Sequence, residues 1–194
     1  MTRHRRSQLR QNPYRHLLIE ELLEDSQWNE LLNLLEATEW TESQQEFFSF
    51  GRIATAKAFN QLAESVTRTG VVPTLETQFT AAFGIEVLGP VRYSFQRYTP
   101  GSGIGPHTDR QVGSLRFVLN LTRNWRPDYG GIWLLSNRSN LSSDTAFVVP
   151  LNNSGFAFVP NERTFHALSD RTSNQAFAVI FEFAFAVVEH QARG

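Results

Sequence analysis

The chain has 194 residues, 41% of them hydrophobic and 19% charged, which suits one globular domain around a single core and excludes disordered, collagenous and coiled-coil classes. Eighteen basic and nineteen acidic residues leave a formal net charge of -1, so there is no overall electrostatic drive toward nucleic acid or an anionic membrane. The absence of cysteine removes disulfides, thiol nucleophiles, iron–sulfur clusters and cysteine zinc sites, so any metal must be held by nitrogen and oxygen.

Residues 1–19 carry Arg3, Arg5, Arg6, Arg10 and Arg15 with no acid. No apolar run follows them, so 1–16 reads as a solvated basic tail and not as a secretory signal. No later stretch approaches the roughly 18 apolar residues of a membrane span, and a cytoplasmic protein is expected. From Glu20 to Glu46 the sign reverses, with acids throughout and no Lys or Arg. Leu31, Leu34 and Leu35, with Leu32 beside them, have the spacing of a buried helical stripe, and Ser26 is the expected N-cap. A second helix is expected over 54–67, where Ala58, Leu62 and Val66 lie four apart ahead of Gly70 and Pro73. A third is expected over 75–83, closed by Gly84.

Beyond Gly84 the period changes from helical to alternating. Segments 91–98, 114–121, 131–135, 146–149, 155–159 and 176–188 are short runs rich in Val, Phe, Tyr and Trp, separated by Gly, Pro, Asn and Asp. Helices followed by strands predict a mainly β, α+β domain: a jelly-roll-like double sheet with N-terminal helices packed on one side. The expected organisation is a tail over 1–16 and one domain over 17–194, with helical support to about 84 and the jelly-roll core over about 85–188.

The chemistry concentrates in Gly105-Pro-His-Thr-Asp109. On an extended strand residues i and i+2 point the same way, so His107 and Asp109 face one point. His166, which follows the predicted strand ending at Val159-Pro160, can supply a third ligand. Two imidazoles and one carboxylate with open positions beside them suit ferrous iron in oxygen-activating enzymes. His4, His16 and His190 lie in the tails and are assigned no role.

Around these ligands runs an ordered set of short motifs: Tyr98-Thr-Pro-Gly101, Gly103, Gly105, Leu119-Asn-Leu121, Gly130-Gly131 before Ile132-Trp-Leu-Leu135, then Pro150, Gly155-Phe-Ala-Phe158 and His166. Over about residues 88–183 this succession resembles the iron(II)- and 2-oxoglutarate-dependent dioxygenases, in their prolyl-hydroxylase-like branch. The resemblance implies a double-stranded β-helix with Fe(II) held in its mouth by His107, Asp109 and His166. It further implies 2-oxoglutarate as co-substrate, decarboxylated to succinate and CO2 with molecular oxygen, and ascorbate as a reductant. Tyr98 matches the family's tyrosine ahead of the iron motif, whose phenol hydrogen-bonds the co-substrate.

The sequence departs from that family at the far carboxylate of 2-oxoglutarate. The Arg or Lys usual nine or ten residues after the distal histidine is here Gln175 or Ala176. Arg116, sharing a strand face with Val118 and Asn120, is the first substitute. An Arg at that distance from the first histidine also resembles the aspartyl/asparaginyl β-hydroxylase group. Arg171 is the second substitute, and Gln175 offers a neutral hydrogen bond. Trp125, Tyr129 and Trp133 flank the Gly-Gly turn as cleft or core aromatics, and Arg92, Arg97 and Arg110 bracket the predicted opening, where an anionic substrate would meet them.

The resulting expectation is a dioxygenase that hydroxylates an unactivated carbon of an amino-acid-like substrate, either a peptidyl residue or a small metabolite. Asp109 occupies the position a halide would need, which argues against halogenation. Two alternatives stand: a nucleic-acid dealkylating oxygenase of the same superfamily, which the net charge does not support, and a jelly-roll metal- or ligand-binding module without turnover.

Overall fold

The computed structural model describes residues 6–45, 48–109, 114–126, 129–137, 145–169 and 175–185. In chain order the elements are β1 (Arg6–Arg10), β2 (His16–Glu20), α1 (Asp25–Ala37), β3 (Trp40–Gln45), β4 (Phe48–Ile53), α2 (Ala56–Arg68) and α3 (Val71–Phe83). There follow β5 (Val87–Tyr98), β6 (Ile104–His107), β7 (Ser114–Leu121), β8 (Ile132–Leu135), β9 (Ala146–Val148), β10 (Ser154–Phe158), β11 (Phe165–Leu168) and β12 (Ala176–Phe185).

Two four-stranded antiparallel arrays make the jelly roll, one in the order β10-β7-β12-β5 and the other in the order β6-β11-β8-β9. Strand β4 bridges them, pairing with β5 through Gly51 and Arg52 and with β6 through Phe48. Strand β2 extends the first array beyond β10, with β1 outside it, and β3 lies outside β4. This is the expected double sheet with helices on one side.

Alternation along β12 separates the two faces. Phe177, Val179, Phe181 and Phe183 turn toward the helices, in one cluster with Leu31, Leu35, Leu62, Val66, Leu75 and Phe79. Phe79 of α3 packs on Phe117 and Phe183, with ring centroids 5.4 and 5.2 Å away. A side chain of this size, fully buried, is worth about 1.5–3 kcal/mol in removal from water. The intervening Ala176, Ala178 and Ile180 turn the other way and line a cavity between the arrays. Beside that cavity Ile132, Leu134, Val148, Phe156 and Phe158 form a second, smaller core.

The helices carry local signals. Thr55 caps α2, its Oγ1 accepting from Ala58 N at 3.2 Å. Gly84 closes α3 with φ 70°, its N–H reaching Thr80 O at 2.9 Å, a left-handed stop that other residues adopt at a cost. The expected Ser26 cap is corrected: the N-cap is Glu24, whose N–H donates to Gln27 Oε1 at 3.0 Å, and Ser26 lies inside the first turn. The Glu24–Gln27 pair serves a backbone donor that a cap two residues later would leave bare.

Two further readings are corrected. Residues 6–16, placed in the expected tail over 1–16, belong to the β1–β2 hairpin, because β2 pairs with β10 and buries His16 together with Leu17 and Ile19. β1 is mostly polar and the apolar run of β2, Leu17–Ile19, is only three residues long, too little period to announce a strand. The acidic stretch 20–46 is not helical throughout: from Trp40 it forms β3, whose polar Thr41-Glu-Ser-Gln44 run is tolerated because β3 is an edge strand paired only with β4. The expected strand over 176–188 is β12 to Phe185, and its last three residues lie outside the described set.

Candidate metal centre

A type II turn leads from β5 into β6, which lies on the far side of β4 from β5. Pro100 and Gly101 occupy the turn's centre, Gly101 has φ 83°, and Ser102 N donates to Thr99 O at 2.9 Å. Such a turn requires positive φ at its third position, which glycine supplies without strain. His107 ends β6 and Asp109 follows two residues later. Across the sheet His166 of β11 sits directly opposite His107, with ring centroids 4.2 Å apart. A tight turn over Asn161–Thr164, in which Asn161 N donates to Thr164 Oγ1 at 2.9 Å, leads the chain into β11.

The three side chains converge. His107 Nε2 lies 3.8 Å from Asp109 Oδ1, and His166 Nε2 lies 3.8 Å from Asp109 Oδ2; one donor atom from each residue falls within 4.8 Å of the others. Both imidazoles are held the same way from behind: His107 Nδ1 contacts Gly105 O at 2.9 Å, and His166 Nδ1 contacts Thr164 O at 3.2 Å. A carbonyl only accepts, so Nδ1 carries the proton in each ring and Nε2 is the ligating nitrogen. Burial, followed by the nearby charges of His107 and Arg116, pushes His166 down to about 4 against the pull of Asp109. The ring is therefore neutral near pH 7, the form that binds a metal. Hard nitrogen and oxygen donors with a preset tautomer fit a divalent first-row ion such as Fe(II).

The cavity in front of the triad measures about 690 Å³. Strand register arranges its wall in rungs across β5, β12 and β7: Arg92–Glu182–Arg116, then Ser94–Ile180–Val118, then Gln96–Ala178–Asn120. Phe158 of β10 continues the first rung and lies 5.1 Å from the His166 ring, so that rung marks the level of the triad. Arg116 Nε is 3.4 Å from Asp109 Oδ2, and its Nη1 is 3.2 Å from Glu182 Oε2. The guanidinium turns inward beside the triad and there spans Asp109 and Glu182.

At the other end Tyr98 is buried against Phe50 and Ala178, and its hydroxyl donates to Gln96 Oε1. Asn120, 5% exposed, lines the cavity with its Nδ2 lacking a hydrogen-bond partner among the described residues. Such a buried donor ordinarily costs on the order of 1–3 kcal/mol, so this atom is prepared for an acceptor that enters the cavity. Gln175 is exposed just before β12 and does not line the cavity, because the inward face of β12 begins at Ala176. Arg171 and Arg110 lie outside the described residues. Trp125 donates to Gly130 O, Trp133 packs on Phe147 and Tyr129 is buried beneath Arg126; none of the three lines the cavity.

Sequence reasoning did not single out Glu182 or Arg52. Strand register places Arg52 on the cavity wall and Glu182 behind Arg116, and β4, which carries Arg52, was not expected as a strand. Tyr14 was missed as well. Its hydroxyl is buried without a hydrogen-bond partner among the described residues, and burial, with the charge of Asp109, raises its pKa far above the ordinary value. The phenol therefore stays protonated and neutral against Phe158, behind His166.

No family model and no curated protein sequence matches the chain. Solved structures do. A prolyl hydroxylase from Trichoplax adhaerens, in complex with a hypoxia-inducible-factor oxygen-degradation-domain peptide, aligns with TM-score 0.65 at 15% identity, over 87% of this chain and 83% of that one. A prolyl-4-hydroxylase from Pseudomonas putida aligns with TM-score 0.62 at 14% identity, over 87% and 91%. HygX from Streptomyces hygroscopicus, solved with nickel and 2-oxoglutarate bound, aligns with TM-score 0.59 at 11% identity, over 89% and 83%. The chain therefore shares the fold of these solved structures, two of which are prolyl hydroxylases. Among the described residues, no helix is long and apolar enough to cross a membrane.

Proposed function

We propose that this protein is an Fe(II)- and 2-oxoglutarate-dependent dioxygenase that hydroxylates a carbon of an amino-acid-like substrate, peptidyl or free. The observation that carries the reading is the convergence of two imidazoles, both fixed through Nδ1, and one carboxylate on a single cavity of the double-stranded β-helix. Its support from comparison is the oxygenase fold of the neighbours, one of them holding nickel with 2-oxoglutarate and another a peptide. When bound, iron and 2-oxoglutarate supply oxygen activation: R–H, O2 and 2-oxoglutarate become R–OH, CO2 and succinate.

The chain's own residues do the rest. His107, Asp109 and His166 hold one side of the metal and leave the cavity side for ligands. Arg116, braced by Glu182, keeps Asp109 turned toward the histidines; in that place it serves the metal-binding carboxylate, and the Asn120 rung would hold the far carboxylate of the co-substrate. There Asn120 Nδ2 would donate to it, and Tyr98 would exchange Gln96 for it. Ile180, Val118 and Phe156 form the apolar middle of the wall and exclude water, which strengthens every polar contact inside.

The direct test is succinate release from 2-oxoglutarate with Fe(II), ascorbate and oxygen, with and without candidate substrates. Iron-dependent succinate formation is expected even without a substrate, as slow uncoupled turnover. Iron bound at the triad with no succinate formed under any condition would leave only a binding module. Asn120→Ala is expected to raise KM for 2-oxoglutarate about tenfold, the ~1.4 kcal/mol of a hydrogen bond to a charged group, with the metal affinity unchanged.

A further inference from the structure

We propose that the β4–β5 side of the cavity is an anion-recognition wall, and that the substrate presents carboxylate groups to Arg52 and Arg92. This rests on the dioxygenase reading and names the class of molecule the site accepts.

Among the described residues three arginines line the cavity: Arg52, Arg92 and Arg116. Its only acidic lining residue among those described is Asp109, and Arg116 faces it while also facing Glu182. Arg52 and Arg92 have no carboxylate within 4 Å among the described residues. Elsewhere in the fold arginines take acidic neighbours: Arg68 pairs with Glu30, Arg97 with Glu42 and Arg123 with Glu36. Arg97, expected at the opening, is thereby committed to the β3–β4 hairpin, and Arg52 takes its place at the cavity.

Local structure aims both cations. Arg52 stands on β4 beside Gln96, with its guanidinium 5.3 Å above the Phe50 ring, and Phe50 is itself packed on Tyr98. An aromatic platform holds a guanidinium in place while leaving its N–H edge for an anion. Arg92 stands at the triad's own level, beside a break in register: Glu182 pairs with Arg92, but Phe183 pairs with Pro90, so Val91 is an extra residue in β5. Bulges of this kind re-aim side chains at the rims of barrels. Val91 is 66% exposed while Arg92 turns to the cavity.

The two arginines sit four residues apart in β5 register, about 13 Å along the strand. A substrate with two carboxylates, or a short acidic peptide, spans that interval. Glu182 next to Arg92 already serves Arg116, so it does not neutralise the wall. Lysine- or arginine-bearing substrates meet like charge here, a repulsion that works as strongly in selection as the attraction.

The test uses the full chain loaded with Mn(II) and 2-oxoglutarate, titrated calorimetrically. The probes are N-acetylglutamate and an acetylated, amidated Ala-Glu-Ala-Glu peptide, together with the peptide's Gln and Lys counterparts. Tighter binding of the Glu peptide than the Gln peptide, by tenfold or more, is expected, with no binding of the Lys peptide. The double variant R52Q/R92Q should erase that preference and R52K/R92K should retain part of it, while 2-oxoglutarate binding stays within twofold in both. N-acetylglutamate binding as tightly as the Glu peptide assigns the wall to small acids, and weaker binding assigns it to acidic peptides. Equal affinity for Glu and Gln peptides overturns the proposal. So does a double variant that loses 2-oxoglutarate binding instead of Glu-peptide binding, since the arginines would then belong to the co-substrate. If Mn(II) and 2-oxoglutarate fail to bind at all, the dioxygenase reading falls, and the same titration on the metal-free chain still reads the Glu-over-Gln preference.

Discussion

At the scale of single residues, the centre rests on hydrogen bonds made behind the ligands. The carbonyls of Gly105 and Thr164 set which nitrogen of each histidine is protonated, two residues before each ring in both cases. Asp109 has no such backbone anchor in the contacts described and is positioned by Arg116. Asp109→Ala is therefore expected to lower Mn(II) affinity by more than the ~10–100-fold that losing an outer partner costs, while Glu182 keeps Arg116 paired and the fold intact. Metal titration alongside a thermal melt checks both halves. The ligands were legible because their identity and spacing are written locally: His-x-Asp on an extended segment, and one histidine after a later strand. Arg116 was legible as an inward residue through its shared face with Val118 and Asn120, but its partner was not. Glu182 lies 66 positions along the chain, and only strand register brings the two to one rung. Arg52 was invisible for the same reason.

At the scale of elements, the β10–β7 pairing shows how little slack the inner array has. A Cβ added at Gly155 would meet the Phe117 ring and Val118 O at 2.5 Å. One of those atoms is backbone in a paired strand, so it cannot swing aside. Gly155→Ala is expected to destabilise the fold by roughly 1–3 kcal/mol as overpacking, measured as a lower urea midpoint with an unchanged slope. Helices and long strands were legible through their periods: α2 and α3 keep the predicted leucine and phenylalanine faces, and β7 matches its expected limits. The strands β1, β2, β3, β4, β6 and β11 were not legible as runs: β1 and β3 are mostly polar, β4 and β6 are interrupted by Gly51 and by Gly105-Pro106, and β2 and β11 take their place from pairing with strands distant in sequence. Of these, only the extended segment at His107 was anticipated, through its chemistry.

At the scale of the whole molecule, the helices cover one face of the β10-β7-β12-β5 array and leave its other face to the second array and the cavity. Two buried histidines tie this arrangement to pH. His16, fully buried, donates from Nδ1 to Tyr14 O, and burial lowers its pKa below 6.5; His166 is lowered to about 4. The unfolded chain takes up these protons first as pH falls, so stability is full above about 6.5 and declines through the interval below it, toward pH 4 for His166. The metal-free protein should show a falling urea midpoint between pH 7 and pH 5. His16→Asn, which keeps a donor for Tyr14 O and has no titratable ring, should flatten part of that decline; an unchanged decline would remove His16 from the account. The central claim joins the triad, the cavity and the fold in one prediction that needs no knowledge of the substrate. Anaerobic addition of 2-oxoglutarate to the Fe(II)-loaded protein should produce a visible metal-to-ligand charge-transfer band, at one iron per chain, and His166→Ala should abolish it. Iron bound with no such band, or a band of equal strength in His166→Ala, would contradict the assignment.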